Sequence, residues 1–156
     1  MTAAGHADPV DPQQGAVEPG WRGYALPALQ RRFGPLRGTL ALGVLWAVWH
    51  LPLRLVPGTA QAQVPLTLFI VQTVAVSLIL AWIYSGTDGS LTLVVLTHAS
   101  INTWAGPLRV MPVDAGSIRP YALATGLIVA LAVLAVLGSR AADRLAPGIT
   151  DMDERD

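Results

Sequence analysis

The chain has 156 residues, room for one domain of ordinary size, and is 53% hydrophobic with only 13% charged residues and a mean hydropathy of +0.50. Soluble domains carry about 25% charged residues, so this deficit points to lipid as the solvent. A formal net charge of zero, with basic residues that are all Arg and scattered, excludes a general attraction to nucleic acid, and the lack of Cys excludes disulfides, thiolate metal sites and a Cys nucleophile.

Residues 1–17 are polar and contain no apolar h-region, so they read as a solvated tail and not a signal peptide. A helix start follows at Glu18-Pro19, since Pro is tolerated at the first helical position. Trp21, Leu26, Leu29 and Phe33 give this segment an apolar face, with Arg22, Gln30, Arg31 and Arg32 around it. Taken alone it is an amphipathic, interfacial helix, kinked or ended in its middle by Pro27. Phe33-Gly34-Pro35 makes a turn.

Four apolar stretches come next: about Leu40 to Val56, Leu66 to Tyr84, about Leu91 to Trp104, and about Tyr121 to Leu137. The second and fourth carry no charge, and the second is long enough to cross a hydrocarbon core, which takes about 20 residues. The third is short for a full span. Non-alternating runs such as Leu127-Ile128-Val129-Ala130-Leu131 argue against a β-barrel, and backbone groups in lipid must pair internally. The predicted fold is therefore all-α: a polytopic membrane helix bundle of about four apolar helices after one amphipathic N-terminal helix, with the membrane domain over 18–138 and a charged tail over 139–156. Arg31, Arg32, Arg37, Arg140 and Arg144 collect at one end of the spans and Arg54, Arg109 and Arg119 at the other. The positive-inside rule puts the first end, with both tails, in the cytoplasm.

Ionisable groups inside apolar helices are costly, and each is a candidate for function. Glu18 and Arg22 are spaced i, i+4 and share a face; a solvated pair at a helix start would look the same. His50 lies in Trp46-Ala47-Val48-Trp49-His50-Leu51-Pro52, where Pro52 cannot bond the Val48 carbonyl, so a freed carbonyl beside His50 is expected. A packing His within an aromatic belt is the alternative. His98 and Asn102 are again i, i+4, near Thr97 and Ser100, and would serve either a polar site or helix–helix contact.

In order and type these read Glu18-x-x-x-Arg22, Trp46-x-x-x-His50 and His98-x-x-x-Asn102. Together with their flanks Pro19-Gly20-Trp21-Arg22-Gly23-Tyr24 and Leu29-Gln30-Arg31-Arg32-Phe33-Gly34-Pro35, this resembles the CAAX-protease and bacteriocin-processing (CPBP, Abi-type) family of intramembrane glutamic endopeptidases. The resemblance covers roughly Glu18 to Gly106. The family pattern is two adjacent glutamates followed after three residues by Arg, then aromatic-x-x-x-His, then His-x-x-x-Asn.

The resemblance implies hydrolysis of a peptide bond in or beside the membrane. A glutamate and His50 would activate water, His98 and Asn102 would hold the oxyanion, and Arg22 would hold the glutamate. The substrate would be a membrane peptide or a prenylated protein in a bacterial cytoplasmic membrane. The family assigns the water-activating role to the first glutamate, and here that position is Val17. Adjacent helical residues point about 100° apart, so Glu18 cannot take its place without a backbone adjustment.

The family also carries apolar spans before its first motif. The polar residues 1–16 are expected to mark an N-terminal truncation, whose missing helices a second copy or another membrane protein would supply. Three functional readings follow: an endopeptidase in which Glu18 serves as base, a non-catalytic pseudoprotease that binds membrane peptides or partners, and, outside the family, a bis-histidine haem protein ligated by His50 and His98. No cofactor is predicted. Were a divalent metal present, His50, His98 and Glu18 would be its ligands, although no His-Glu-x-x-His helix supports one.

Overall fold

With no water to satisfy it, backbone in lipid must bond to itself, and the described residues of the computed structural model are mostly helical. Those residues are 17–57, 59–105 and 107–145, and among them there is no strand. The polar stretch 1–16 and the final residues 146–156, both expected as solvated tails, lie outside the described residues.

A π-helical segment, Pro19–Ala25, runs directly into helix α1, Leu26–Phe33. The Leu26 N–H bonds the Trp21 carbonyl five residues back, which is the π register. The change of register falls beside Pro27, a residue with no N–H to offer a carbonyl four residues earlier. The break expected at this proline is therefore a change of helix type within a continuous helical path.

The amphipathic segment buries one face in the bundle. Glu18, Arg22 and Leu26, spaced every four residues on one face, are all fully buried. The segment turns back at Gly34, whose φ of 82° suits glycine, and packs along α2, Pro35–Trp49. The two helices approach so closely that a Cβ on Gly38 would lie 2.6 Å from the Gln30 backbone nitrogen. Gln30 Nε2 donates to Thr39 Oγ1 across the same contact at 3.1 Å. Apolar packing and a side-chain bond thus hold the segment inside.

Helix α2 gives way at His50 to a 3₁₀ segment, Leu51–Leu55. Arg54 then closes the following loop, its Nη1 donating to the Gln61 and Val64 carbonyls at 2.6 and 2.9 Å. Helix α3, Leu66–Gly86, returns through the bundle and crosses α2 closely: a Cβ on Gly43 would sit 3.1 Å from Val74 Cα. Helix α4, Leu91–Ala105, and helix α5, Arg119–Leu145, complete the array. The last helix extends beyond the apolar stretch into the charged C-terminal segment.

Among the described residues, three stretches have the length and hydropathy to cross a membrane: Pro35–Leu55, Leu66–Gly86 and Arg119–Arg140. The fourth apolar helix, α4, has 15 residues, which at 1.5 Å per residue is about 22 Å and short of a full span. The chain is a multi-pass membrane helix bundle. Its core joins Trp46 of α2, Val76 and Leu80 of α3 and Val94 of α4. A neighbouring cluster of Leu26, Leu42 and Ala81 seats α1 against α2 and α3. At the end of the bundle that carries the two long loops, Val64, Phe69 and Tyr121 form a third cluster.

Candidate active site

Spacing by four residues places both members of each sequence motif on one helix face, and burying those faces brings the three motifs together. Glu18 and Arg22 leave the π segment side by side: Arg22 Nη1 donates to Glu18 Oε1 at 3.0 Å. Oε2 is also 3.0 Å from the same nitrogen, as an ion-pair contact without a hydrogen bond. Both side chains are 0% exposed. Burial lowers the Arg22 pKa from its ordinary value, and the adjacent Glu18 carboxylate opposes that by charge and by hydrogen bond. A guanidinium keeps its proton under such a shift.

From α4, His98 joins the same carboxylate, its Nδ1 lying 2.7 Å from Glu18 Oε1. An ionised carboxylate can only accept, so Nδ1 is the donor and the ring orientation is fixed. The result is a three-membered clasp, Arg22–Glu18–His98, joining residues 80 apart in sequence. The helix-contact alternative for His98 and a role in the site are thus compatible, because the bond that seats the ring also docks α4.

His50 is held differently. Its Nδ1 lies 2.8 Å from the Trp46 carbonyl one turn earlier, so the carbonyl that pairs with His50 is that of Trp46, whereas the Pro52 argument pointed to Val48. A carbonyl accepts only, so the neutral ring carries its proton on Nδ1 and leaves a lone pair on Nε2. Trp46 stands among all three motifs. The Arg22 guanidinium lies 4.2 Å from its ring centroid, and the His50 and His98 rings meet it edge-on at 5.4 and 5.2 Å. These are the distances of cation–π and aromatic edge contacts. Trp49 and Phe69 close on His50 at 4.9 and 5.8 Å.

A cavity of about 710 Å³ opens beside this array, and His50, His98, Asn102 and Val17 are among its walls. Glu18 is not. The valine at the family's first-glutamate position faces the cavity, and the neighbouring carboxylate is turned into the protein and closed off by Arg22 and His98. That is the outcome expected of adjacent residues about 100° apart on a helix. No Asp or Glu lines this cavity among the described residues.

Of the predicted site residues, the fold gathers all five, with His50, His98 and Asn102 on the cavity and Glu18 and Arg22 behind it. Thr97 and Ser100 turn away, each bonding a carbonyl of its own helix at 2.8 and 2.7 Å. The alternative metal set of His50, His98 and Glu18 is not assembled, since Glu18 faces Arg22 and His98 and no three ligating side chains gather among the described residues. The haem reading gains no support, because the Trp46 ring packs against both imidazoles.

Outside the motifs, Gln72 of α3 also lines the cavity. Its polar amide in an otherwise apolar run was the available signal.

Comparison with known proteins places this geometry in context. Residues 16–104, more than half of the chain, match the family model of the type II CAAX prenyl endopeptidase, Rce1-like. A curated relative is the CAAX prenyl protease 2 of Methanococcus maripaludis, 29% identical over 92 residues, which are 54% of this chain and 34% of the relative. The chain thus spans about a third of the length of the curated relative it matches. No solved structure matches. The matched region contains the clasp, His50, His98 and Asn102, and the chain belongs to the type II CAAX prenyl endopeptidase, Rce1-like, family.

Proposed function

We propose that the chain is an intramembrane endopeptidase of the CAAX-processing type, in which His50 activates water, His98 and Asn102 hold the oxyanion, and Glu18 with Arg22 positions His98. The observation that carries this reading is the convergence of His50, His98 and Asn102 on one cavity of about 710 Å³ within a membrane bundle.

Water is a poor nucleophile at neutral pH and needs a base in reach. The His50 ring is tethered through Nδ1, and its Nε2 takes the water proton as the water oxygen attacks the scissile carbonyl. The oxyanion that forms is met by the Asn102 amide and the His98 ring. For that ring to donate from Nε2 while Nδ1 stays on Glu18, it must carry both protons, and Glu18 is the counter-charge held against it. Collapse of the intermediate breaks the C–N bond, and the proton on His50 passes to the leaving amine. A positioned base is worth about 10²–10⁴ in rate, and each oxyanion donor about 10²–10³. With Val17 in place of a carboxylate, His50 works alone on the water, and turnover is slow.

The substrate is a prenylated C-terminus or another membrane-embedded peptide, and orientation discriminates between them. The cavity lies toward the end bearing Arg54 and the loops at Gln61 and Met111, the end that the positive-inside count assigns to the non-cytoplasmic face. A cavity on that face would meet membrane peptides, and one on the cytoplasmic face would meet prenylated proteins. A second reading, a peptide-binding pseudoprotease, is favoured by Val17 on the cavity wall.

Purified chain in detergent, incubated with farnesylated and transmembrane peptides and followed by mass spectrometry, tests the proposal. Cleavage that disappears in His50→Ala supports the endopeptidase. Peptide binding without cleavage supports the pseudoprotease. Neither binding nor cleavage of any peptide contradicts both.

A further inference from the structure

A second space, of about 630 Å³, opens between the helices and shares no lining residue with the first cavity. Helix α3 is its floor, packed against α2 on one side and α5 on the other. Leu78, Trp82 and Ser85 line it from α3, and Val136, Ser139 and Arg140 from α5. The first three are spaced by four and three, and Ser139 and Arg140 lie three and four residues after Val136, so each set forms one helix face. Pro35 and Leu36 add the start of α2 to the wall.

This groove has a polar mouth and an apolar depth. Pro35, Gly86 and Arg140 are end residues of the three candidate spans, and all three line it. Its mouth therefore lies at the membrane–water boundary, at the end that the positive-inside count assigns to the cytoplasm. The stretch of α3 from Gly86 back to Leu78 is about 12 Å at 1.5 Å per residue, so the groove runs on into the hydrocarbon. Its wall is open to a ligand: Trp82 is 50% exposed, and Ser85, Ser139 and Arg140 are exposed. Arg140 makes no ion pair among the described residues, and no carboxylate lines the groove. Arg31, Arg32 and Arg37 stand at the same end of the bundle, against Asp88 in the turn after α3, so the local field is positive.

An apolar groove with a cation at its mouth matches an amphiphile with an acyl chain and an anionic headgroup. A guanidinium takes phosphate oxygens in a bidentate fork, and basic pockets between membrane helices on the cytoplasmic side suit anionic lipid headgroups. We propose that this groove binds one anionic phospholipid, with its phosphate on Arg140 and an acyl chain along Leu78, Trp82 and Val136. The lipid bridges α2 and α5 across α3 and holds the last span, the least buried of the three, to the bundle. This site stands apart from the proposed hydrolysis and does not rest on it.

The test uses the full chain in neutral detergent micelles with a phosphatidylglycerol that carries a photoreactive diazirine in one acyl chain, and cross-links are mapped by mass spectrometry. Labelling is expected to concentrate on Leu78, Trp82 and Val136 over outward residues such as Leu127, and to fall when unlabelled phosphatidylglycerol is added. Phosphatidylcholine, which brings a positive choline into the same field, and uncharged farnesol should compete far less well. Arg140→Gln should weaken competition by phosphatidylglycerol roughly tenfold, as for loss of a hydrogen bond to a charged group. Arg119→Gln, at the other end of the same helix, should leave it unchanged. Even labelling of the groove and Leu127 would mean an ordinary lipid shell, and equal competition by phosphatidylcholine or farnesol would mean an apolar slot that reads no headgroup. Either result overturns the site, and neither needs a variant to fold. Unchanged competition in Arg140→Gln removes the phosphate contact and overturns it as well.

Discussion

The clasp of Glu18, Arg22 and His98 and the cavity rim of His50 and Asn102 carry the same signature in sequence, polar side chains four apart in apolar helices. The fold treats them in opposite ways. In the clasp the two charges and a ring nitrogen meet one another at 2.7 to 3.0 Å, and both charged side chains are sealed from solvent. On the rim, His50 spends one nitrogen on the Trp46 carbonyl and keeps the other free, and Asn102 lines the cavity while remaining exposed. Buried polar groups that bond one another hold helices in register, here with Glu18 Oε2 and two Arg22 nitrogens left without a hydrogen bond. Polar groups with valence left over, facing a space, are available for chemistry. His98 belongs to both sets, which is how the buried pair can influence a reaction it does not touch.

The comparison predicts a division between stability and activity, and substitution of the clasp is the strongest way to break it. Arg22→Leu leaves the Glu18 carboxylate buried without its cation. Breaking a buried pair in this way costs about 3–5 kcal/mol, read as a large fall in thermal unfolding temperature in detergent. Glu18→Gln removes the charge and retains an acceptor for His98, so it should destabilise less than Glu18→Ala. Equal stability of the natural chain and Arg22→Leu would mean that the clasp does not hold the bundle.

On the rim the effect should move to activity. Asn102→Ala should lower cleavage about 10²–10³-fold with a stability change within about 0.5 kcal/mol, the usual range for an exposed position. Rate and unfolding measured on one preparation check both halves. A smaller effect is expected where α1 lies on α2. A methyl on Gly38 would meet the Gln30 backbone, so Gly38→Ala should cost about 1–3 kcal/mol by overpacking, visible in the same unfolding assay. The smallest effect is expected on α5, whose span is 11% buried against 33% for the other two. Leu127 points outward there, and Leu127→Val should leave unfolding unchanged within about 0.5 kcal/mol. A large loss would reveal a protein partner on that face in place of lipid.

Much of this was legible in the sequence. The spacings 18/22, 46/50 and 98/102 set which side chains share a face, and the helical angle between Val17 and Glu18 already implied that only one of them could face the site. Local spacing does not tell which face meets which partner. The N-terminal segment has the arginines and interrupted apolar face of an interfacial helix, yet its stripe of Glu18, Arg22 and Leu26 is buried. That burial comes from His98, 80 residues away, and from the packing of Gly38 on Gln30, neither of which a local pattern contains. The Pro27 break was legible, but its form as a π segment was not, because a missing N–H permits a kink, a stop or a register change equally. Gln72 shows a different limit. A search for charges passes over an amide, although in a membrane span an amide without a partner is nearly as conspicuous.

In the proposed function the cavity is a hydrolytic site lacking the carboxylate at position 17, with Glu18 closed off behind it. The most direct test compares release of the C-terminal fragment from a farnesylated peptide by the natural chain, Val17→Glu and Val17→Glu/His50→Ala. The account predicts slow release by the natural chain, a rise of about 10²–10⁴-fold in Val17→Glu as a carboxylate returns to the cavity wall, and loss of that gain in the double variant. Natural-chain activity that Val17→Glu leaves unchanged, while Glu18→Gln abolishes it without loss of fold, would contradict the account and return the base to Glu18.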